Sequence, residues 1–426
     1  MQPSFVWTLC FFLFATCHPD TQGQDRQQPG SATLESQMTQ AWDALWGRFF
    51  IQKVGTFGDY LSSYEPGKEQ AHLPTAEEVR RQWPNPCGYS TGMEDGMILG
   101  GAMLSILSDR YEVTKEKELK ARAAEVFKGM RLCATVHGAP GFVARNVCPE
   151  DGSSVYPNSS RDQVTHYVHG LWKYYHSPLA DEGTKAEIKT ILAAVADRMI
   201  KTMVPETNYD FLQADDKPCW LGICRMWNVQ AHEAARLPMI YAAAWDLTQS
   251  ERYRAEWRRY TKEAVDQSAT PDPHKPAYAL LQMQCSLELL HALEPEAELK
   301  KQIHTTMQHV AKLADKRTVW TWGKIREKDA ETMRMLGPDW RKVEVWKDQK
   351  GKPNPQWGPY REIWHISREV GESALVPLMV DQPQISAEQK QRIQDFVLAF
   401  DYAHNSSCGI LYHIATYWKA RRAGVL

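Results

Sequence analysis

The stretch Asn158-Ser-Ser-Arg-Asp-Gln-Val-Thr-His-Tyr-Val-His-Gly-Leu-Trp172 combines a polar pattern with an apolar one. A helix that serves only for packing does not need the polar pattern. Polar and ionisable side chains crowd the first turns of this stretch, and apolar residues then recur at helical spacing. The pattern predicts a buried helix whose N-terminal end opens onto a cleft. A capped helix with a surface Arg161–Asp162 pair would also explain it. The polar cluster consists of Arg161, Asp162, Gln163, His166 and His169, and the apolar stripe of Val164, Val168, Leu171, Trp172 and Tyr175.

This pattern recurs along the chain, because charge-poor helices that begin with polar clusters alternate with charged helices that carry one apolar stripe. Helices that are apolar nearly all round belong inside a fold, and helices with a single stripe belong outside. We therefore predict an all-α fold, an (α/α)6 toroid of six helical hairpins; a helical solenoid is the alternative, but uneven connections favour the ring. The inner helices are predicted at 93–107, 161–175, 228–247, 277–290, 363–380 and 410–423, and the outer ones at 34–53, 114–135, 185–204, 251–267, 296–314 and 387–401.

The longest connection, residues 317–360, lies between the fourth and fifth hairpins. It contains five tryptophans, and it alternates apolar and polar residues at 319–322 and at 343–346. Long connections that are rich in aromatic residues are usually ordered and functional. We predict a Trp-rich flap, built on two short strands, over the mouth of the ring.

The N-terminus resembles an export signal. Residues 5–15 form an apolar run that is too short to span a bilayer, and a polar run follows. We expect a signal peptide at 1–24, a toroid domain at 31–426 and a periplasmic or extracellular location. Lipid attachment at Cys17 is an alternative. No later segment is long and apolar enough to be a transmembrane helix.

Charge and cysteine content narrow the classes of function. The formal net charge of −2 gives no indication of binding to nucleic acid. Seven cysteines follow the signal region, and an exported chain uses such residues in disulfides. The nearest pairs in sequence are Cys219 with Cys224 and Cys133 with Cys148. Zinc-ligand spacing, a P-loop and a dinucleotide fingerprint are all missing, so we expect neither metal nor cofactor.

The N-terminal clusters of the inner helices are the candidate site, since helices that run in one direction bring these ends together. Helix N-termini favour anionic ligands. Glu94, Asp95 and Asp162 are the candidate general acid and base or nucleophile of glycoside hydrolysis. For each of these acids, a purely structural interaction with the helix dipole is the alternative.

Asn228, His232 and Arg236 form a second constellation, because a spacing of four places them on one face of a helix. Together with Tyr241 they match the groups that β-elimination at a uronate requires. A histidine that only satisfies a backbone carbonyl is the alternative for His232. The side chains expected to bind substrate are Arg161, Gln163, His166, Asn228, Arg236, Trp227, Trp364, His365 and Tyr412.

The order of hairpins resembles the six-hairpin glycosidase-like toroids. Ser160-Arg-Asp-Gln-Val-Thr-His-Tyr-Val-His-Gly170 is similar to the Arg-Gly-Gln-Ala-Trp…Tyr-Gly run that opens an inner helix in the unsaturated glucuronyl hydrolases, with Asp162 replacing the first Gly and Thr165 the Trp. The resemblance implies a glycoside hydrolase that acts on oligo- or polysaccharides containing uronic acids. A polysaccharide lyase on the same fold and a non-catalytic glycan-binding toroid are the alternatives.

Overall fold

The structure is a computed structural model that describes residues 33–343 and 358–426. Thirteen α-helices and one two-stranded antiparallel sheet make up this part of the chain. The strands are β1 (Phe50–Ile51) and β2 (Thr56–Phe57). The helices are α1 (Leu34–Ala44), α2 (Ala76–Arg80), α3 (Gly96–Thr114), α4 (Leu119–Thr135), α5 (Arg161–His176), α6 (Glu182–Thr202), α7 (Arg236–Thr248), α8 (Glu251–Ser268), α9 (Ala277–Leu293), α10 (Ala297–Arg326), α11 (Gly358–Leu378), α12 (Ala387–Ala399) and α13 (Ser407–Arg422).

Six helices form a closed inner ring. Each of α3, α5, α7, α9, α11 and α13 packs against the next, and α13 packs back onto α3. The odd-numbered helices from α3 onward are buried nearly all round, whereas α4, α6, α8, α10 and α12 bury one stripe. Helix α1 supplies the sixth outer position by packing against α12 and α13. The predicted (α/α)6 toroid is confirmed.

Two glycines bring α3 and α5 unusually close together. A Cβ atom on Gly101 would lie 2.0 Å from the carbonyl oxygen of His166, and one on Gly170 would lie 2.4 Å from the carbonyl oxygen of Gly101. Neither distance leaves room for a side chain. This contact holds the start of α5, which is capped by the Ser160 hydroxyl, against the start of α3.

Helix α7 begins later than predicted, at Arg236. Residues 231–233 form a separate 3₁₀ turn, and Asn228 has a positive φ of 53°. Pro238 explains the boundary, since proline lacks an N–H and is accommodated without cost only in the first turn of a helix. The prediction that Asn228, His232 and Arg236 share one helical face is therefore wrong.

The predicted flap is wrong in its first strand, because α10 continues to Arg326 and makes residues 319–322 helical. Thr318 and Thr321 of this extension hydrogen-bond to Ser373 and Glu369 of α11, so tertiary contacts override the local alternation. Trp340 is buried in an ordered loop and donates to the carbonyl oxygen of His72 at 2.7 Å. Most of the second predicted strand, with Trp346, lies outside the described residues, as does Trp357.

The predicted signal peptide and Cys17 also lie outside the described residues. Within the described ranges, no helix combines the length and the apolar character that crossing a membrane requires. Cys133 and Cys148 belong to two different hydrophobic clusters, whereas Cys219 and Cys224 lie close together.

Candidate functional site

One cleft, open to solvent, lies at the N-terminal ends of the inner helices. The first residue of α7, Arg236, reaches Asp162 at its edge, and the first residue of α13, Ser407, hydrogen-bonds to Asp59 beneath it. The cleft is lined by Tyr89, Glu94, Asp95, Ile98, Arg145, Ser160, Asp162, Gln163, Tyr278, Gln282, Arg361, Trp364, His365 and Arg368.

Glu94 and Asp95 sit in the turn immediately before α3, and a buried carboxyl group fixes that turn. Asp59 accepts the backbone N–H of Glu94 at 2.7 Å and that of Asp95 at 3.1 Å. Burial, followed by the nearby Asp95 and Glu94, raises the pKa of Asp59 well above its ordinary value. Three carboxyl groups therefore crowd one side of the cleft, and like charges at this spacing favour protonation of some of them.

Glu94 is buried, and burial is the main cause that raises the pKa of its carboxyl group. The guanidinium groups of Arg361 and Arg145 act in the opposite direction without cancelling the effect. Arg145 is itself held in place, since it donates to the carbonyl oxygen of Glu94 at 2.7 Å and to the Tyr89 hydroxyl at 3.0 Å. Glu94 thus retains a proton to higher pH than an exposed glutamate does.

Asp162 has the opposite electrostatic environment. Burial acts to raise its pKa, but the attraction of Arg236 and then of Arg161 outweighs burial and lowers the pKa below the ordinary value. Arg236 is 1% exposed; it contacts the Asp162 carboxylate at 2.5 Å and donates to the Gln282 amide oxygen at 2.7 Å. The Asp162 side chain remains one-third exposed, at 33%, so an ionised carboxylate faces the cleft.

Asp95 links the two sides of the cleft. Its carboxylate accepts from the Gln163 amide at 3.3 Å and lies 3.4 Å from Arg368. Arg368 also binds the buried Glu372 through two nitrogens, at 2.6 and 2.9 Å. Burial raises the pKa of Glu372 to about 7 despite this contact. Asp95 is thus fixed by hydrogen bonds from both α5 and α11.

Aromatic rings supply the apolar part of the cleft wall. The Trp364 ring lies between two guanidinium groups, those of Arg361 and Arg368, each 4.4 Å from its centre. Tyr278 is 37% exposed and faces the same space. Flat apolar faces beside hydrogen-bonding side chains suit the stacking and edge contacts of a sugar ring.

Several residues of the cleft escaped the sequence analysis. Asp59 and Arg145 lie in irregular segments, where no periodicity indicates which way a side chain points. Arg368 could have been found, because it follows Trp364 by four residues on α11 and so shares its face.

Eight predicted residues do not line the cleft wall, and five of these lie within residues 227–241. Tyr241 and Trp227 are buried against Tyr260 of the outer helix α8, so Tyr241 cannot take part in proton transfer in the cleft. Asn228 is exposed in the loop before α7. His232 lies near the edge, 3.7 Å from Glu233, and burial lowers its pKa to about 4.

Arg161, His166 and Tyr412 have other surroundings than predicted. Arg161 pairs with Glu233 at 2.5 Å and donates to the Gly222 carbonyl oxygen, which anchors the start of α5. His166 and Tyr412 are buried one helical turn or more below the cleft, in a cavity inside the ring. Of the predicted binding residues, the structure brings Gln163, Trp364 and His365 to the cleft wall, with Arg236 behind Asp162.

Comparison with known proteins gives structural matches only. No protein-family model and no curated protein sequence matches the chain. The α-1,6-mannanase GH76A of Salegentibacter sp. HEL1_6 matches with a TM-score of 0.46 at 10% identity, over 92% of this chain and 100% of that one. The family 76 mannosidase Bt3792 of Bacteroides thetaiotaomicron VPI-5482 matches with a TM-score of 0.44 at 11% identity, over 92% and 99%.

A third match is the cellobiose 2-epimerase of Spirochaeta thermophila DSM 6192, with a TM-score of 0.44 at 11% identity, over 92% and 97% of the two chains. None of these three proteins is described as a glucuronyl hydrolase. The specific resemblance of residues 160–170 to that family therefore stays a prediction.

Proposed function

We propose that this protein is a glycoside hydrolase that binds a glycan in the cleft and cleaves it with Glu94 as general acid and Asp162 as base or nucleophile. The observation that carries the proposal is the opposite pKa shift of two carboxyl groups in one cleft. Glycoside hydrolysis needs one protonated and one ionised carboxyl group beside the scissile bond. Environments that push two pKa values apart assign these two roles.

In this mechanism Glu94 donates its proton to the glycosidic oxygen as the bond to the sugar breaks. Asp162, ionised by Arg236, either removes a proton from the attacking water or attacks the anomeric carbon itself. Asp95 lines the same cleft and is assigned to face the positive charge that develops on the sugar ring. The contacts of Asp95 to Gln163 and Arg368 hold its position without any contribution from substrate.

The more specific proposal is that the substrate contains a uronic acid. Three arginines line the cleft, and their charges favour an anionic group on the substrate. We assign a uronate carboxylate to the side of the cleft where the Arg361 guanidinium lies over the Trp364 ring. A neutral hexose in the same position would keep the stacking on Trp364 but would lack this attraction between opposite charges.

Uronate elimination by a lyase has less support from the geometry. Of the residues predicted for this reaction, Arg236 is already bound to Asp162 and Gln282, and Tyr241 faces the outer helices. A protein that only binds glycans would need the cleft, but it would not need two carboxyl groups whose pKa values are shifted in opposite directions.

The test is a screen of paired oligosaccharides that differ only in a hexose or the corresponding uronate, with products identified by mass. Hydrolysis adds one water to the products, whereas elimination leaves an unsaturated uronate that absorbs in the ultraviolet. We expect hydrolysis, faster for the uronate. Equal rates for the two substrates would contradict only the assignment of a uronate carboxylate to Arg361. Unsaturated products would contradict the proposal that the protein is a hydrolase.

Two isosteric variants test whether the Glu94 and Asp162 carboxyl groups catalyse the reaction. Glu94→Gln and Asp162→Asn should each lower kcat about 10²- to 10⁴-fold, which is the usual contribution of general acid or base catalysis. Glu77→Gln on α2 and Asp272→Asn in an exposed turn are matched controls at exposed positions. Undiminished turnover by both cleft variants would place the active site elsewhere. Binding without turnover by the parent would favour a non-catalytic glycan-binding protein.

A further inference from the structure

Two buried cysteines and one aspartate form a cluster beside the rim of the cleft. Ligand atoms of Asp210, Cys219 and Cys224 lie within 4.8 Å of one another, and all three residues are buried. The chain returns on itself between the two cysteines, since the Gly222 N–H donates to the Cys219 carbonyl oxygen at 3.3 Å. Leu221 and Gly222 both have φ near +61°, which closes the turn tightly.

The aspartate of this cluster is already satisfied by the backbone. One oxygen of Asp210 accepts the Leu212 N–H at 2.7 Å, and the other accepts the Cys219 N–H at 3.3 Å. A structural zinc site is closed by four ligands, and the described residues offer only these three within reach. The cluster therefore suits a bond between the two sulfurs better than a metal ion.

We propose that Cys219 and Cys224 form a disulfide bond that fixes the rim of the cleft. The two thiols lose two protons and two electrons, one S–S bond forms, and a low-molecular-weight disulfide such as oxidised glutathione is reduced to two thiols. The exchange passes through a mixed disulfide between one cysteine and the oxidant, which the second cysteine resolves. Both thiols are buried in the folded protein, so the exchange occurs before the turn 220–223 closes.

The proposed bond would hold the start of α5. The Ile223 carbonyl oxygen accepts the backbone N–H of Arg161 at 2.9 Å, and the Gly222 carbonyl oxygen accepts the Arg161 side chain at 3.3 Å. The Trp220 N–H donates to the Asn158 side chain at 2.7 Å, just before the same helix. Since Asp162 follows Arg161 directly, a fixed turn at 220–223 also fixes the Asp162 carboxylate.

Peptide mapping tests the bond without any assumption about enzymatic activity. The full chain is refolded in a glutathione redox buffer, its free thiols are alkylated, and the protein is digested without reductant. After digestion with trypsin, we expect a single peptide that contains both Cys219 and Cys224, neither of them alkylated, with the mass of an internal disulfide. Cys133, Cys285 and Cys408 should be alkylated after denaturation. Alkylation of both Cys219 and Cys224, or their pairing with other cysteines, would overturn the proposal. Stoichiometric zinc in the same preparation, found by elemental analysis, would overturn it in favour of a metal site.

A variant pair measures what the bond does. The double variant Cys219→Ala/Cys224→Ala should lower Tm by about 2–4 °C and become insensitive to reductant, because the unfolded chain is no longer constrained. The control Cys285→Ala removes a buried thiol of the ring interior and should keep the response of the parent to reductant. A parent Tm that does not change on reduction would contradict a stabilising role. Loss of the disulfide leaves the glycoside hydrolase proposal intact, because that proposal rests on Glu94 and Asp162.

Discussion

The two ends of the inner ring contain buried acids in opposite electrostatic states. At the cleft end, burial raises the pKa values of Asp59, Glu94 and Glu372. At the other end, Asp109 is buried and the side chain of Glu288 is only 19% exposed, yet the pKa values of both acids are lowered. Burial alone therefore does not decide whether an acid in this protein is charged.

The difference lies in the number of cations that each acid contacts. Glu288 lies 3.0 Å from Lys419 and 3.9 Å from Lys173, and it also hydrogen-bonds to His169 at 2.8 Å. Asp109 binds Arg422 at 2.6 Å and lies within 4.0 Å of both lysines. Although burial is the largest single influence on both acids, the groups around them, Lys173 and Lys419 first, together lower the two pKa values.

This comparison separates a structural cluster from a functional one. An acid surrounded by cations is a permanent ion pair that ties helices together, and it has no proton to donate. An acid with a raised pKa in an open cleft has too few nearby cations to offset its burial. Its ionised form therefore costs stability, and such acids are typical of catalytic sites.

Glu288→Gln should remove one of the two acids that Lys173 and Lys419 share and leave Asp109 as the other. Breaking a buried ion pair in this way typically costs about 3–5 kcal/mol of stability. We expect a lower denaturation midpoint with kcat unchanged, measured by urea unfolding and by turnover well below the midpoint. The matched control is Glu182→Gln, at a position whose side chain is 89% exposed. A large fall in kcat with normal stability would mean that the two ends do not differ as described.

Arg236→Met should raise the pKa of Asp162, because Arg236 is the largest of the influences that lower it. If Glu94 is the acid and Asp162 the base, the activity of the parent should fall at low pH as Asp162 is protonated and at high pH as Glu94 loses its proton. The variant should move the acid limb of the kcat/KM profile to higher pH by about one to three pH units, as expected for loss of a close opposite charge. The alkaline limb should not move. A shift of the alkaline limb instead would exchange the roles of Glu94 and Asp162.

Much of this arrangement was readable from the sequence, but the charge states were not. The start of α5 at Arg161 was predicted correctly, because Ser160 is a local cap and the apolar stripe after it is regular. The pKa of Asp162 depends on Arg236, which is 74 residues away in the chain. The pairing of these two residues is fixed by the packing of α5 against α7, which no local pattern specifies.

The two ends should also differ in how pH affects folding. Asp109 and Glu288 have folded-state pKa values below the unfolded ones, so their stabilisation is present at neutral pH and is lost as pH falls through the folded values. Glu372 has a folded pKa of about 7, raised from 4.5, so its contribution is complete below about pH 4.5 and declines as pH rises towards 7.

Glu372→Gln tests this sign. The parent should lose stability between pH 5 and pH 8 in part through Glu372, and the variant should lose less over the same window, measured by urea unfolding. The matched control is Glu388→Gln, an exposed position on α12. A parent that gains stability over this window, with no difference in the variant, would contradict a raised pKa for Glu372.

Tyr241→Phe should have the smallest effect. The Tyr241 hydroxyl is buried without a hydrogen-bond partner among the described residues, and its ring packs against Tyr260. Removing an unsatisfied buried hydroxyl should raise the free energy of unfolding by about 1 kcal/mol and leave kcat within about twofold. A severe loss of activity would restore the lyase mechanism, in which Tyr241 handles a proton.

The most direct test is the titration of the cleft carboxyl groups themselves. Protein labelled with ¹³C at the side-chain carboxyl groups of Asp and Glu can be followed by NMR across the acidic range, with Glu94→Gln and Asp162→Asn used to assign the two signals. We predict that Glu94 titrates above 4.5 and Asp162 below 3.8, the ordinary values for these groups. Titration of Asp162 at a higher pH than Glu94 would contradict the assignment of acid and base.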